Sequence, residues 1–166
     1  MEKNNIQRRL NLPPYPAKLQ EDSGGYNIYD ILRKKYVALT PEEWVRQHFV
    51  NYLISQKSYP ENLMGNEVNL ELNGMRRRCD TVLYDIHLRP IMIIEYKRPD
   101  VSITQKVFDQ ICRYNIVMRV DYLVVSNGLK HYCCKMDYEN QSYSFLEEIP
   151  DYGSFKIRNE ELGMRN

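Results

Sequence analysis

Two runs of β-branched and aliphatic residues, separated by four residues, most constrain the fold of this chain. Residues 77–85 (RRCDTVLYD) and 90–97 (PIMIIEYK) both have the length of strands, and residues 86–89 between them are typical of a short hairpin connection. Residues 91–94 are apolar without interruption, which favours a strand covered on both faces. The sequence therefore predicts a β-hairpin of which the second strand is buried.

A hairpin that is symmetric about its four-residue loop determines which side chains share a face. The predicted cross-strand pairs are Asp85 with Pro90, Tyr84 with Ile91, Val82 with Ile93, and Asp80 with Glu95. Lys97 lies two residues beyond Glu95 and joins the same face. We therefore expect Asp80, Glu95 and Lys97 to converge at one end of the hairpin. The opposite face is predicted to carry Thr81, Leu83, Met92 and Ile94.

Two carboxylates and a lysine on one face suit the chemistry of phosphate esters. Such a set can hold a divalent cation against a phosphate and activate a water molecule beside it. The alternative is a solvated pair of Glu95 and Lys97 on an exposed sheet face, which has no functional meaning. Charges at the end of a strand covered on both faces are costly unless they are paired or bound to metal. The pattern thus favours metal-dependent cleavage of phosphodiester bonds.

The order of these residues resembles the PD-(D/E)xK nuclease superfamily. The resemblance rests on Asp80, on residues 95–97 (EYK) and on residues 110–114 (QICRY), which match the Gln-x-x-x-Tyr motif of the RecB-like branch. The wider sequence over residues 26–151 is similar to the N-terminal nuclease domain of type I restriction enzyme R subunits, in a compact form that occurs as a stand-alone protein. Cys79 stands where the superfamily name has proline.

The resemblance implies an α/β fold with a restriction-endonuclease-like core, in which helices flank a central mixed β-sheet in the order αβββαβ. It also implies that Asp80 and Glu95 bind Mg²⁺ or Mn²⁺ together with the backbone carbonyl of Ile94 or Tyr96. Lys97 is then expected to orient or activate the attacking water.

Two predicted helices carry further candidates for the site. Thr40 is an N-cap followed by Pro41 at the first helical position, so a helix is expected to begin there and to run to about residue 57. The superfamily often places a glutamate on this helix near the metal. Angular spacing favours Glu42 over Glu43 for the sheet-facing side, without excluding Glu43. The alternative for both is a favourable interaction with the helix dipole.

On the later helix, expected over residues 103–118, Gln110 and Tyr114 lie one turn apart on one face. The resemblance implies that they orient the metal-site groups or contact DNA phosphate. The remaining predicted strands lie within residues 28–39 and near residues 66–72, 121–126, 130–134 and 143–145. Residues 1–25 are predicted to form an extended arm, residues 26–152 the nuclease-like domain, and residues 153–166 a C-terminal tail.

Positive charge is concentrated around the predicted site although the formal net charge is only +1. Residues 76–78 lead into the Asp80 strand, and Arg98 follows the Glu95 strand. We expect these four arginines to meet DNA phosphates, with a solvated strand end as the alternative interpretation. They are Arg76, Arg77, Arg78 and Arg98. Residues 33–35 are predicted to be a solvated face.

Other chemistries find little support in the sequence. The four cysteines form no C-x-x-C pair and lie inside predicted elements, which favours buried thiols of a reducing compartment. The three histidines lack metal-ligand spacing, and no Gly-rich phosphate loop indicates an ATP site. No apolar stretch reaches the roughly 18 residues of a membrane span, and no leader is evident, so a cytoplasmic protein is expected.

The sequence thus predicts a Mg²⁺-dependent DNA endonuclease domain. The alternative is a non-cleaving module that binds nucleic acid or takes part in assembly of a restriction or defence system. The expected partner is DNA, other subunits of such a system are further candidates, and the oligomeric state stays open.

Overall fold

An antiparallel three-stranded sheet precedes the first long helix. The computed structural model describes residues 6–72 and 74–155, without the side chains of Leu72, Tyr114 and Val117. The sheet consists of β1 (Leu19–Asp22), β2 (Gly25–Asp30) and β3 (Lys35–Ala38), in that spatial order. β1 lies inside the segment for which the sequence predicts an extended arm. It forms because the chain turns at Gly24 and Gly25, where Gly25 adopts a φ of 132° and the Asp22 carboxylate accepts the Gly24 N–H.

The remaining elements build a mixed six-stranded sheet with a long helix on each face. Strands follow one another in space as they do along the chain, and all neighbours are antiparallel except β6 and β7, which are parallel and joined through α2. The elements are α1 (Pro41–Lys57), β4 (Met64–Leu72), β5 (Met75–Tyr84), β6 (Pro90–Tyr96), α2 (Gln105–Met118), β7 (Tyr122–Ser126), β8 (His131–Asp137) and β9 (Ser142–Leu146). This architecture confirms the predicted mixed sheet flanked by helices.

Threonine side chains fix the start of both helices. Thr40 Oγ1 accepts the Glu43 N–H at 3.0 Å, and Pro41 occupies the first turn of α1, as the sequence predicts. Thr104 Oγ1 accepts the Val107 N–H, so α2 begins at Gln105 rather than at residue 103. The first residue of each helix is therefore determined by a capping threonine in the local sequence.

Neighbouring residues of the central strands pack in opposite directions. Met92 and Ile94 of β6 belong to a cluster that contains Phe49 of α1, whereas Ile93 belongs to a second cluster with Phe108 of α2. All three β6 side chains are fully buried. The strand is thus covered on both faces, as its uninterrupted apolar run predicts.

The hairpin of β5 and β6 follows the predicted register in its middle and departs from it near the loop. Val82 lies opposite Ile93, as predicted. A bulge between Leu83 and Tyr84 places Tyr84 opposite Pro90. The predicted pairing of Tyr84 with Ile91 is therefore wrong, and so is that of Asp85 with Pro90.

The side chain of Asp85 organises the loop between β5 and β6. Its carboxylate accepts the backbone N–H groups of His87 and Arg89 at 2.8 and 2.9 Å, and its own N–H donates to the Arg89 carbonyl. The loop closes around this side chain, with Leu88 in the left-handed region at a φ of 59°. The bulge leaves Ile91 of β6 without a partner residue on β5 and does not change the register around Val82.

The described ends of the chain pack against the domain. Leu10 and Phe155 are buried in the cluster that lies under α1, and residues 152–155 form a short helical turn. The segment predicted as a tail thus begins inside the core, and its residues 156–166 lie outside the described part of the chain. All four cysteines are buried and free, as expected. Among the described residues, no helix is long and apolar enough to cross a membrane.

Replacing Leu88 by glycine should stabilise the protein. A side chain in the left-handed region costs about 1–2 kcal/mol, and Leu88 is 69% exposed and loses little packing when removed. Leu88→Gly should therefore raise the free energy of unfolding by about 0.5–1 kcal/mol, measured by urea denaturation. Ile86→Gly is the matched control, because Ile86 is also exposed but has an ordinary φ, and it should lower stability. Equal effects of the two substitutions would contradict this account.

Candidate active site

The Asp80 carboxylate lies where the pairing of β5 and β6 ends. The last backbone pair is Thr81 with Ile94, and beyond it Asp80 Oδ2 accepts the N–H of Tyr96 at 2.9 Å. A side-chain oxygen thus takes the place of a strand carbonyl. Because Tyr96 directly follows Glu95, this bond brings Asp80 to the end of β6 that carries Glu95 and Lys97.

Glu95 lies close enough to Asp80 for their charges to repel. Burial, and after it the charge of Asp80, raises the pKa of Glu95 to about 7, although the charges of Arg77 and Lys97 act in the opposite direction. The side chains of Asp80 and Glu95 are only 19% and 13% exposed. The charges of Asp80 and Lys97 both act on Glu95, so the three residues that alternation along the hairpin selects lie within electrostatic reach of one another.

Glu42 and Glu43 of α1 have different surroundings. Burial and then the charge of Asp80 raise the pKa of Glu42, whereas Arg46 and Lys97 lower it. Glu42 is thus within electrostatic reach of both Asp80 and Lys97. Glu43 instead accepts hydrogen bonds from Gln47 Nε2 at 2.8 Å and from Arg33 Nη2 at 3.0 Å. Of the two glutamates, Glu42 faces the candidate site and Glu43 belongs to the network that supports it.

Arg46 is a site residue that the sequence reasoning missed. Its side chain is 3% exposed, and its guanidinium lies among three carboxylates. Nη2 is 2.5 Å from Glu67 Oε1 and 3.6 Å from Asp80 Oδ1, and Nη1 is 3.5 Å from Glu43 Oε2. Burial lowers the pKa of Arg46, but the charges of Glu43 and Asp80 and the contact with Glu67 outweigh it, so the pKa is raised and the group stays charged. Its place four residues after Glu42 on a sheet-facing helix is the signal that could have revealed it.

Glu67 of β4 contributes the third carboxylate around Arg46. It lies between Asn66 and Val68, which pair with β5, and has a φ of 56°, a left-handed conformation inside a strand. Glu67 also forms an ion pair with Arg78. Burial raises the pKa of Glu67, but the hydrogen bond and charge of Arg46 outweigh it and hold that pKa below its usual value. An uncommon backbone conformation of this kind is often retained at functional sites.

On the other side of the sheet, Arg77 connects Glu95 to α2. Arg77 Nη2 donates to Glu95 Oε1 at 2.6 Å, and Nη1 donates to Asn115 Oδ1 at 3.3 Å. Asn115 is fully buried and is held by donating to the Ile111 carbonyl. Asn115 was also missed by the sequence reasoning, although it directly follows the Gln-x-x-x-Tyr motif.

Of the two residues of that motif, the structure describes the side chain of Gln110 alone. Gln110 is exposed, on the side of α2 opposite the buried Asn115. The Gln110 side chain forms no hydrogen bond with another residue in the part of the chain that the structure describes. The side chain of Tyr114 lies outside the described residues. Their expected contact with DNA phosphate stays a prediction.

A chain of hydrogen bonds connects the site to the three-stranded sheet. The Tyr96 hydroxyl lies 3.0 Å from Thr81 Oγ1, which donates to Asn66 Oδ1 at 2.6 Å. Asn66 Nδ2 in turn donates to Asp30 Oδ2 at 3.0 Å. Asp30 is fully buried and also accepts hydrogen bonds from the Arg33 backbone and side chain. This network fixes the strand ends that carry Asp80 and Glu95.

Each of the four flanking arginines has a carboxylate partner. Arg77 pairs with Glu95 inside the site. The other three pairs have exposed arginines, although Glu67, the partner of Arg78, is only 19% exposed. These are Arg76 with Glu71 at 2.8 Å, Arg78 with Glu67, and Arg98 with Asp100 at 3.0 Å. Exposed ion pairs of this kind contribute about 0–1 kcal/mol and exchange readily for another anion.

The chain matches one protein family over most of its length. Residues 41–150 match the family described as "Type I restriction enzyme R protein N terminus (HSDR_N)". The match begins at the first residue of α1 and ends after β9, so it includes the six-stranded sheet and every candidate site residue. The three-stranded sheet and the N-terminal arm lie outside it. A comparison with curated proteins found no match.

The raised pKa of Glu95 predicts a specific pH dependence of stability. A carboxyl group whose pKa is higher in the folded state binds its proton more tightly there, so folding loses stability as pH rises from about 4.5 to 7. Glu95→Gln removes this loss. The free energy of unfolding of the variant minus that of the wild type should therefore increase by about 1–3 kcal/mol between pH 5 and pH 8.

Urea denaturation at several pH values measures this difference. The control is Glu71→Gln, which removes an exposed carboxylate and should change stability by less than about 0.5 kcal/mol. A difference between Glu95→Gln and wild type that stays constant with pH would show that folding does not raise the pKa of Glu95.

Removing the buried cation of Arg46 should be strongly destabilising. Arg46→Met leaves Glu43, Glu67 and Asp80 without their shared partner, and the loss of one member of a buried ion pair costs about 3–5 kcal/mol. Thermal and urea unfolding measure the effect. Arg76→Met, which breaks an exposed pair, is the control and should cost less than about 1 kcal/mol. Similar losses for the two variants would refute a special role of Arg46.

Proposed function

The chain belongs to the type I restriction enzyme R protein N-terminal family, and we propose on this basis that it is a metal-dependent DNA endonuclease domain that hydrolyses phosphodiester bonds. The observation that carries the proposal is the approach of Asp80 and Glu95 at the end of one hairpin, beside Lys97. Two carboxylates that repel each other in a buried place are costly to fold, so their proximity calls for a positive ligand.

The donor set fits a hard divalent cation. No group of three or more His, Cys, Asp and Glu side chains with metal-binding geometry occurs within residues 6–72 and 74–155. Mg²⁺, however, is commonly held by one or two carboxylates while water and phosphate oxygens complete its shell. Asp80, Glu95 and the carbonyl of Ile94 or Tyr96 offer only oxygen, which suits Mg²⁺ or Mn²⁺ better than zinc. When bound, such an ion supplies Lewis-acid polarisation of the phosphate.

The other residues of the site have distinct roles in this proposal. Lys97 orients or activates the attacking water and stabilises the charge that develops on the phosphate. Glu42 assists at the same place, because it lies within reach of Asp80 and Lys97. Arg46 keeps Asp80 in position and does not touch the reacting atoms. Gln110, Tyr114 and the exposed arginines Arg76, Arg78 and Arg98 contact DNA phosphates, the arginines by exchanging their present carboxylate partners.

One observation favours the second candidate, a module that binds nucleic acid or takes part in assembly without cutting. Both carboxylates have an arginine nearby, Asp80 with Arg46 and Glu95 with Arg77. A site filled by its own cations needs no metal for stability. In that case the fold would serve contact with DNA or with other subunits of a restriction system.

Cleavage of supercoiled plasmid DNA distinguishes the two functions. We expect the wild type to nick or cut with Mg²⁺ or Mn²⁺ and to be inactive in EDTA. Lys97→Ala should lower the cleavage rate by about 10²–10³-fold while DNA affinity changes little, because Lys97 acts mainly on the transition state. Asp80→Asn should abolish cleavage and weaken Mn²⁺ binding, measured by electron paramagnetic resonance.

The control is Lys135→Ala, which removes an exposed lysine at the far end of β8 and should leave the rate unchanged. Equal rates for Lys97→Ala and wild type would refute the role of Lys97. A wild-type protein that binds DNA but cuts it with neither metal would favour the non-cleaving module.

A further inference from the structure

The N-terminal arm carries two arginines for which the described residues offer no carboxylate partner. Arg8 and Arg9 are exposed and form no ion pair with any described residue, in contrast to the four arginines beside the site. Residues 7–18 contain no acidic residue. The positive charge of the arm is therefore available to an external anion.

The arm is attached to the turn between β7 and β8. The Asn11 N–H donates to the Gly128 carbonyl at 2.8 Å, and the Asn11 carbonyl lies 2.9 Å from Nε2 of His131. The same turn carries Lys130, which is exposed and without a carboxylate partner within the described chain. Arm and turn thus bring Arg8, Arg9 and Lys130 to one edge of the molecule.

This edge is the one that holds the candidate active site. The Lys97 N–H donates to the Ser126 carbonyl at 2.8 Å, so the segment that leads into the turn lies directly beside Lys97. On the other side, Trp44 Nε1 donates to the Arg8 carbonyl at 2.9 Å and joins the arm to the first turns of α1, where Glu42 faces the site. The arm and the turn therefore lie at the same end of the sheet as the candidate site.

Between the arm and α1 lies an open groove of about 740 Å³. Residues 7–15, Trp44 and His48 line it, and none of them is acidic. The rings of Trp44 and Tyr15 both contact His48, with centroid distances of 4.2 and 4.8 Å. A concave surface with two free arginines and aromatic walls is complementary to a nucleic-acid strand, because phosphates can meet the arginines while sugars or bases contact the rings.

We propose that Arg8, Arg9 and Lys130, together called the arm surface, bind the phosphate backbone of DNA next to the active site. The proposal rests on the proposed function, since it identifies where the same substrate is held. It assigns a large part of the electrostatic contact to a segment outside the family match, because the arginines nearest the carboxylates already have partners.

The salt dependence of DNA affinity tests the arm surface. Binding of a fluorescent duplex is measured by anisotropy in EDTA at several NaCl concentrations, so that no cleavage interferes. Each lost phosphate contact lowers the slope of log affinity against log salt by about 0.9. Arg8→Ala/Arg9→Ala should flatten the slope by about two units, and adding Lys130→Ala by about one more.

Two further variants separate charge from structure. Arg8→Lys/Arg9→Lys keeps the charge and should keep the slope, which a merely structural role of the arm would not explain. Lys35→Ala/Lys135→Ala removes two exposed lysines, on β3 and at the far end of β8, and should leave the slope unchanged.

The outcomes distinguish failure of this inference from failure of the proposed function. An unchanged slope in Arg8→Ala/Arg9→Ala, with wild-type DNA binding intact, would overturn the arm surface and leave the nuclease proposal standing. A wild type that does not bind DNA at all would overturn both.

Discussion

The buried guanidinium of Arg46 is the interaction on which the rest of the structure depends. Three carboxylates from α1, β4 and β5 meet at one point under the sheet edge, and each alone would be costly to bury. An arginine remains charged in such a place, and its planar group can face several carboxylates at once. This cation therefore stabilises the packing of α1 on the strand end that carries Asp80. Arg46 therefore fixes the position of the helix as well as that of Asp80.

A second arginine performs a similar task on the opposite side of the sheet. Glu95 is held by Arg77, and Arg77 is held by the buried Asn115 of α2. The two carboxylates are thus supported from different helices, although they lie at neighbouring strand ends. Burial, and after it their proximity, raises the pKa of Glu95, and packing on both faces of the sheet maintains both conditions. A cation arriving between them would relieve a repulsion that the fold itself imposes.

Local periodicity explains what could be predicted from the sequence. The register around Val82, the helix that begins at Pro41 and the convergence of Asp80 with Glu95 follow from alternation and from capping, which act over a few residues. Arg46 and Asn115 escaped prediction because their partners lie far away along the chain and follow no period. The predicted pairing next to the loop was wrong for another reason. The Asp85 carboxylate accepts backbone N–H groups in the loop and so competes with the regular pairing of the strands. Gly24 and Gly25 were a turn signal that could have revealed β1.

The segment before α1 lies outside the family match, yet it is structurally joined to the site. Asp30 of β2 is fully buried and reaches the Tyr96 hydroxyl through Asn66 and Thr81. A buried carboxylate needs hydrogen-bond donors around it. The chain of bonds that supplies them here passes through β4, β5 and β6 and so orders these strands relative to one another. The N-terminal segment thus supports the strand ends from within, while its outer arm exposes Arg8 and Arg9 to solvent. The edge that holds the candidate site therefore depends on residues on both sides of the family boundary at residue 41.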